Sequence, residues 1–209
     1  MFEWTSIHRV EDLAVSPDGR WLVAMDDQHQ LQVYNLPTRE FEYKIDLNVR
    51  LTSVGISQDS RHLLVNQQSS IAQLIDLFTR EPVQSYTGHQ CGAGYVIRST
   101  FGGADESFVA SGSDGMSYAS LSLFPLRFFF SNTSFVRASK LTRNADGFIY
   151  IWHKASAQLV QKLNGHSPRC NSISWNPANP CLFASGGDDG KIKMYVLFAR
   201  PPGRVLVLS

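Results

Sequence analysis

The sequence predicts an all-β fold built from repeated units, and three observations support this prediction. Segments 101–114 and 175–188 align without a gap, and both contain Ala-Ser-Gly followed by Ser or Gly and then Asp. Short apolar runs rich in β-branched and aromatic residues alternate with turn residues along the chain. No segment shows the apolar periodicity of an amphipathic helix convincingly. Self-similarity at a regular spacing indicates a repeat architecture, in which neighbouring units bury each other's apolar faces.

The first two repeats share a turn followed by apolar strands. Ser16 and Ser57, which lie 41 positions apart, each begin a Ser-x-Asp turn that leads into a short apolar run. A second apolar run follows at 31–34 and at 72–75. This spacing fits a repeating unit of roughly 40–45 residues. The sequence therefore predicts about four repeats, near 1–44, 45–86, 87–163 and 164–195.

The third and fourth repeats each begin with a Gly-His pair, at Gly88-His89 and at Gly165-His166. Each then passes through a Ser-Gly turn with Asp into an alternating strand that ends in an aromatic residue. This combination is typical of a blade of a WD-repeat β-propeller. We therefore predict an all-β, partial WD-repeat β-propeller of about four blades, with a non-blade insertion in the third repeat. Residues 196–209 depart from the blade pattern and are predicted to be an irregular tail, because Pro201-Pro202 ends a strand.

The resemblance to WD repeats also implies a buried polar network in the last two blades. In that family a loop His, a strand Ser, a turn Asp and a strand Trp hydrogen-bond to one another, which ties the loop to the strands and satisfies buried polar groups. The corresponding residues are His89, Ser111, Asp146 and Trp152 in the third repeat, and His166, Ser185, Asp189 and Tyr195 in the fourth. The first two repeats carry Tyr34 and Ile75 at the Trp position and lack the Gly-His pair, so we expect them to rely on apolar packing.

The third repeat contains 31 extra residues, at 115–145. Ser185 and Asp189 are four positions apart, whereas Ser111 and Asp146 are 35 apart, and a strand-to-strand turn normally takes only a few residues. The segment could be a functional lid or binding loop. It could also be a membrane-touching segment, although its apolar run is short and interrupted by proline and arginine. We favour a third interpretation, a translated intron. The possible codons at the two ends of the segment include strings that resemble splice sites. Splicing between them would remove a multiple of three bases and rebuild one Asp codon.

The composition excludes several classes of function. Lys and Arg total 19 and Asp and Glu total 18, so no basic excess points to direct nucleic-acid binding. Cys91, Cys170 and Cys181 form neither a disulfide framework nor a zinc ligand set, which favours free thiols in a reducing compartment. No secretory signal is visible at the amino terminus. We therefore expect a cytoplasmic or nuclear protein that has no metal, cofactor, membrane anchor or small-molecule substrate.

The recurring His, Ser and Asp residues could also be read as a hydrolase triad. Their spacing recurs in phase with the repeat, as a structural network requires, and the chain has neither a nucleophile-elbow motif nor a Gly-rich phosphate loop. We therefore predict no catalytic residues and no enzymatic activity. Interaction residues are expected on loops, with Arg39, Arg80, His153 and Lys154 as candidates.

Strings in the second half of the chain resemble one family of WD-repeat proteins. The strings are Thr100-Phe-Gly-Gly103, Tyr150-Ile-Trp-His-Lys154, Leu163-Asn-Gly-His166 and Cys170–Pro177. They resemble the C-terminal half of WD repeat-containing protein 26 and of its fungal counterpart, glucose-induced degradation protein seven. The resemblance implies a subunit of a multi-protein ubiquitin ligase, in which the propeller docks substrates or partner subunits and does not transfer ubiquitin.

The family's helical N-terminal assembly region and further blades have no counterpart in this sequence, so we expect a fragment or a truncated form. The alternative function is a generic WD-repeat adaptor in another pathway, such as signalling or RNA processing. Fold alone does not distinguish the two. In both cases the expected partners are other protein subunits.

Overall fold

The structure is a computed structural model that describes residues 3–4, 8–92, 95–114, 147–200 and 204–208. These residues form sixteen β-strands, arranged as four antiparallel sheets of four strands each, and one short 3-10 helix at Ala104–Glu106. Consecutive strands pair within every sheet. The predicted all-β fold with about four blades is confirmed.

The strands of the first two sheets follow the two early repeats. The first sheet contains β1 (Val10–Val15), β2 (Trp21–Asp26), β3 (Gln30–Asn35) and β4 (Glu40–Asp46). The second sheet contains β5 (Leu51–Ile56), β6 (His62–Gln67), β7 (Ile71–Asp76) and β8 (Pro82–Thr87).

The strands of the last two sheets follow the repeats that carry a Gly-His pair. The third sheet contains β9 (Ser99–Gly102), β10 (Phe108–Ser111), β11 (Ile149–His153) and β12 (Leu159–Leu163). The fourth sheet contains β13 (Cys170–Trp175), β14 (Leu182–Gly187), β15 (Ile192–Arg200) and β16 (Arg204–Leu208).

The Ser-x-Asp turns between the first two strands of the early sheets are stabilised by their own side chains. Ser16 Oγ donates to Asp18 Oδ1 (2.5 Å) and accepts from the backbone N–H of Trp21 (2.8 Å). Asp18 also accepts from the N–H of Arg20 (3.0 Å). The hydrogen bond from Ser16 is the main reason that the pKa of Asp18 lies below its ordinary value. Ser57 and the residues after it repeat this arrangement, so the motif specifies a tight turn.

The central hairpin of the third sheet closes across the insertion. Ser111 pairs with Tyr150, 39 positions later, and Ser185 pairs with Lys193, eight positions later. Removing 31 residues makes the two spacings equal. The strands on either side of 115–145 therefore have the register of the fourth sheet. The insertion itself lies outside the described residues, as does Asp146.

The prediction of an irregular tail over 196–209 is wrong for most of that segment. Strand β15 continues to Arg200, and β16 (Arg204–Leu208) pairs with it, with Leu208 opposite Val196. The run Val205-Leu-Val-Leu208 supplies the β-branched and apolar residues that a fourth strand needs. Proline at 201 and 202 separates two strands without preventing their pairing.

The core consists of three apolar clusters, each shared by two consecutive sheets. One joins the first and second sheets, one the second and third, and one the third and fourth. The first strands β1, β5, β9 and β13 are neighbours in that order. In the cluster between the second and third sheets, the rings of Tyr86 and Trp152, both almost fully buried, lie 5.9 Å apart. Sheets stacked through their faces, with their first strands adjacent, are the architecture of a partial propeller.

Candidate functional site: polar networks and the arginine rim

The fourth repeat brings all four of its predicted network residues together. His166 Nδ1 lies 2.7 Å from Asp189 Oδ1, and His166 Nε2 lies 2.7 Å from Ser185 Oγ. Ser185 Oγ is in turn 3.4 Å from the hydroxyl of Tyr195. Because a carboxylate only accepts, Nδ1 carries the proton toward Asp189, and in the neutral imidazole Nε2 accepts from the Ser185 hydroxyl. The chain of bonds ties the loop before β13 to β14 and β15.

The surroundings of this network explain its ionisation. Burial alone raises the pKa of Asp189, but hydrogen bonds from His166 and from the N–H of Lys191 outweigh burial and hold the pKa below its ordinary value. Burial raises the pKa of the Cys170 thiol to about 12. Ser185 is buried, and both of its neighbours in the network belong to the same blade. The Ser185 hydroxyl is therefore enclosed by its partners within the blade.

Three of the four predicted network residues of the third repeat lie within the described residues. His89 is buried, and its Nε2 lies 3.0 Å from Asn66 Oδ1 in the second sheet. Trp152 Nε1 donates to the backbone oxygen of Thr87 (3.1 Å), and its ring lies 5.4 Å from the His89 ring. Ser111 Oγ donates to the backbone oxygen of Gly112 (3.1 Å). These three residues therefore form hydrogen bonds to three different partners, and Asp146 lies outside the described residues.

Two residues that the sequence analysis did not single out anchor the loop after His89. The N–H of Gln90 donates to Ser113 Oγ (3.1 Å), and the N–H of Gly92 donates to Asp114 Oδ2. Ser113 and Asp114 are both fully buried. Ser113 and Asp114 occupy the positions that Gly187 and Asp188 have in the fourth repeat. The two hydrogen bonds that hold the loop after His89 are therefore local to the third repeat.

The first repeat packs through an apolar cluster, as expected, but it also contains a polar network that the sequence analysis did not predict. Asp26 is buried and accepts from the backbone N–H groups of Gln28 and Gln30 (3.0 Å each) and from Gln32 Nε2 (2.8 Å). Tyr34 then donates from its hydroxyl to Gln32 Oε1 (2.5 Å). Asp26 lies two residues after Ala24, which occupies the position that Ser185 has in the fourth sheet. Asp26 and Gln32 thus link the turn after β2 to strand β3, a role that His166 has in the fourth repeat.

The four residues proposed as interaction candidates have structural partners, and His153 is the last residue of β11 rather than a loop residue. The guanidinium of Arg80 lies 4.1 Å from the centre of the Tyr43 ring. The backbone oxygen of Arg39 accepts from Trp4 Nε1 (3.1 Å), and His153 Nδ1 lies 3.1 Å from Ser156 Oγ. Lys154 Nζ lies 3.7 Å from a Glu106 carboxylate oxygen. The structure does not bring these candidates together into one surface.

A different set of residues does recur at one position of three sheets. The backbone oxygens of Arg9, Arg50 and Arg169 accept from the N–H groups of Asp27, Gln68 and Asp188, each three residues after the second-strand positions Ala24, Val65 and Ser185. In the third sheet this position is held by Gln90, whose backbone oxygen accepts from Asp114. Because the first strands of the sheets are neighbours, the three arginines lie at the same end of the array. We call these arginines, together with the adjoining Tyr95, the arginine rim.

The members of the arginine rim adjoin one another. The guanidinium of Arg169 lies 3.5 Å from the centre of the Tyr95 ring. Arg9, Arg50 and Tyr95 line one groove of about 310 Å³, and Tyr95 and Arg169 line a second. Val96, which is 56% exposed, lines both grooves. The rim is therefore one continuous surface with an aromatic ring at its centre.

The charges of the rim are only partly balanced. Arg9 lies 2.6 Å from Glu11, and Arg169 lies 2.8 Å from Asp188. Arg50 is exposed, and no ion pair to it is found within the part of the chain that the structure describes. Tyrosine and arginine are enriched among the residues that dominate protein interfaces. The planar guanidinium fork also fits a carboxylate with two hydrogen bonds. The surface is therefore suited chemically to an acidic protein segment.

Sequence reasoning missed the rim, although part of its signal is visible. Arg9 and Arg50 are 41 positions apart, which is the period of the first two repeats. Arg169 does not follow Arg50 at that period, and the third repeat carries Gln90 at the equivalent position. Only the backbone pairing identifies the three arginine positions as equivalent.

Within the described ranges, no cluster of three or more His, Cys, Asp or Glu residues with the geometry of a metal site is found. The same part of the chain contains no helix that is long and apolar enough to cross a membrane.

The four stacked sheets and the polar network of the fourth blade are consistent with a partial WD-repeat propeller. The family model "WD domain, G-beta repeat" matches residues 157–195, which include His166, Ser185, Asp189 and Tyr195. The chain is therefore similar to WD-repeat proteins, and the matches to individual proteins narrow this similarity.

The chain is 30% identical over 203 residues to "GID complex subunit 7" of Schizosaccharomyces pombe, a match that covers 93% of this chain and 33% of the relative. It is 33% identical over 193 residues to "WD repeat-containing protein WDS homolog" of Arabidopsis thaliana, covering 91% and 30%. It is 27% identical over 194 residues to "WD repeat-containing protein 26 homolog" of Drosophila melanogaster, covering 92% and 25%. The predicted resemblance is confirmed, and the chain spans a quarter to a third of the length of these relatives.

Proposed function

We propose that this chain is a non-catalytic docking scaffold of a multi-protein ubiquitin ligase of the GID type, and that the arginine rim binds an acidic segment of a substrate or partner subunit. The observation that carries the proposal is the recurrence of an arginine at one position of three sheets, with the Tyr95 ring packed against Arg169. The similarity to GID complex subunit 7 supports the type of complex.

The rim is suited to docking because the sheets below it are rigidly packed. Each member precedes a first strand that is paired in a four-stranded sheet and packed against the neighbouring sheet. A surface held in place before binding loses less conformational entropy on association. An acidic segment would compete with Glu11 and Asp188 for their arginines and would engage Arg50 directly, so binding should weaken as the salt concentration rises.

A chimera tests this proposal. The chain replaces the matching third of the S. pombe subunit, and the chimera is expressed in cells that lack that subunit. We expect the chimera to co-purify with the other GID subunits and to support substrate degradation. The combined change Arg9→Glu, Arg50→Glu and Arg169→Glu should reduce substrate recovery at least about tenfold, the effect of about 1.4 kcal/mol.

The matched control reverses the charge at Arg39, which is exposed and lies outside the rim. Arg39→Glu should leave substrate recovery unchanged. Equal recovery by the rim variant and the control would rule out docking on the rim. A chimera that folds but recovers no GID subunit would instead overturn the assignment to this complex and favour an adaptor role in another pathway.

We also propose that the protein works in the cytoplasm or the nucleus. All three cysteines are free, and Cys91 and Cys170 are buried as thiols. Free thiols persist in reducing compartments. Fluorescence microscopy of the tagged protein tests this location, and accumulation in the secretory pathway would contradict it.

A further inference from the structure

The first groove of the arginine rim has an apolar base beneath its charged edge. This groove, of about 310 Å³, is lined by residues from the first three sheets and the loops before them. Met25 and Leu51 form its base; each is 2% exposed, and both belong to the apolar cluster that the first and second sheets share. Val10 and Val96 also line it and are 44% and 56% exposed. The arginines of this groove therefore border a concave apolar surface.

The polar groups of the groove are largely paired within the chain. The Thr52 hydroxyl donates to the backbone oxygen of Ile97 (2.9 Å), and the carboxylate of Glu11 lies 2.6 Å from Arg9. Arg50 is exposed, and no ion pair to it is found among the described residues. A carboxylate placed on the apolar base would lose its hydration without gaining a partner, which is costly. The interior thus suits an apolar side chain, and the edge suits a carboxylate.

We propose that the acidic segment bound by the arginine rim carries one large aliphatic side chain, such as leucine, which enters the groove between Val10 and Val96 while the carboxylates beside it pair with the arginines. This inference rests on the proposed docking function and adds the feature of the segment that sets specificity. The groove is near the lower end of the range of about 300–1,000 Å³ that ligand pockets span, so it accommodates a side chain rather than a folded element.

Val96 is the residue that joins the apolar contact to the charged ones. It follows Tyr95, whose ring packs against the Arg169 guanidinium at 3.5 Å, and it lines both grooves of the rim. Arg9 and Arg50 line the first groove, and Arg169 lines the second. A side chain seated against Val96 therefore has arginines on both of its sides. The segment that fits this arrangement has acidic residues before and after its apolar residue.

Fluorescence anisotropy of the whole chain with short labelled peptides tests this proposal. The probes are a glutamate-rich peptide with a central leucine, the same peptide with a central serine, and a lysine-rich peptide with a central leucine. We expect the first to bind about tenfold more tightly than the second, which corresponds to about 1.4 kcal/mol and is typical of burying part of an aliphatic side chain. The lysine-rich peptide should not bind, because its charge repels the arginines.

Three variants separate the apolar contact from the charged contact. Val96→Ser should leave binding of the serine peptide unchanged and reduce the preference for leucine to about threefold or less, because the groove loses part of its apolar wall. The matched control Val83→Ser changes a valine that is 54% exposed on β8 and lines neither groove, so the tenfold preference should persist. Arg50→Ala should weaken binding of both glutamate-rich peptides by the same factor.

The outcomes distinguish this inference from the docking function on which it rests. Equal binding of the leucine and serine peptides, or a preference that survives Val96→Ser in a folded variant, would overturn the inference and leave docking of acidic segments on the rim intact. Failure of every glutamate-rich peptide to bind, or tighter binding of the lysine-rich peptide, would overturn both.

Discussion

Removing the imidazole of His166 should destabilise the fourth blade through one buried bond in particular. The His166 side chain is fully buried, and its Nε2 lies 2.7 Å from Ser185 Oγ, which is also buried. His166→Ala leaves the Ser185 hydroxyl without its partner at this distance. An unsatisfied buried polar group costs about 1–3 kcal/mol. With the lost packing of the ring, we expect the free energy of unfolding to fall by about 2–3 kcal/mol.

The bond to Asp189 is not included in this magnitude, because that carboxylate is partly exposed and water can replace the imidazole. The converse change, Ser185→Ala, leaves Nε2 of His166 unpaired and should cost about 1–2 kcal/mol. The two residues share one hydrogen bond, so the double variant should be less destabilised than the sum of the single variants, by about 1 kcal/mol.

Urea unfolding followed by tryptophan fluorescence measures these differences. His153→Ala is the control, since His153 is exposed and contacts only Ser156 through its ring nitrogen among the hydrogen bonds described; it should change stability by less than about 0.5 kcal/mol. If the effects of His166→Ala and Ser185→Ala simply add, within about 0.3 kcal/mol, the two side chains do not interact and our account of the network is refuted.

Three further predictions concern other parts of the chain. Iodoacetamide at pH 8 should modify only Cys181 in the folded protein, because the other two thiols are buried with pKa values of about 11 and about 12; mass spectrometry should find all three modified in denaturant. Deleting 115–145 should preserve the four sheets by hydrogen exchange and raise stability in urea by about 1–2 kcal/mol, since a shorter loop costs less entropy to close; failure to fold would contradict the register argument. Burial raises the pKa of Asp76, but the Arg61 side chain and two backbone N–H groups outweigh burial and lower the pKa below 3.8. The ionised carboxylate therefore stabilises the folded protein above that pH, and this contribution is lost on further acidification. Asp76→Asn should therefore lower stability at pH 7 and flatten its fall below about pH 4, and an unchanged acid profile would contradict this.

Much of the fold could be predicted because residues close together in the sequence determine the strands and turns of each repeat. The Ser-x-Asp turns at Ser16 and Ser57 are stabilised by hydrogen bonds within the turn, so they form without distant residues. The strand at Arg204–Leu208 was missed because proline at 201 and 202 marks a break in sequence, whereas pairing with β15 is a long-range event.

The polar network of the fourth repeat was predictable because that repeat is regular. His166, Ser185 and Asp189 follow the repeat pattern and come together. His89 also contacts Asn66 of the preceding sheet, a partner that no spacing within its own repeat reveals. The arginine rim was missed because the equivalence of Arg9, Arg50 and Arg169 rests on backbone pairing and not on one regular spacing.

Hydrogen exchange of the whole chain, followed by mass spectrometry, tests whether four stacked sheets form and whether the third closes across the insertion. We expect slow exchange in peptides from all four sheets, including both Phe108–Ser111 and Ile149–His153, which pair across 115–145. Exchange of Ile149–His153 as fast as in an unfolded chain, with the other sheets protected, would contradict it.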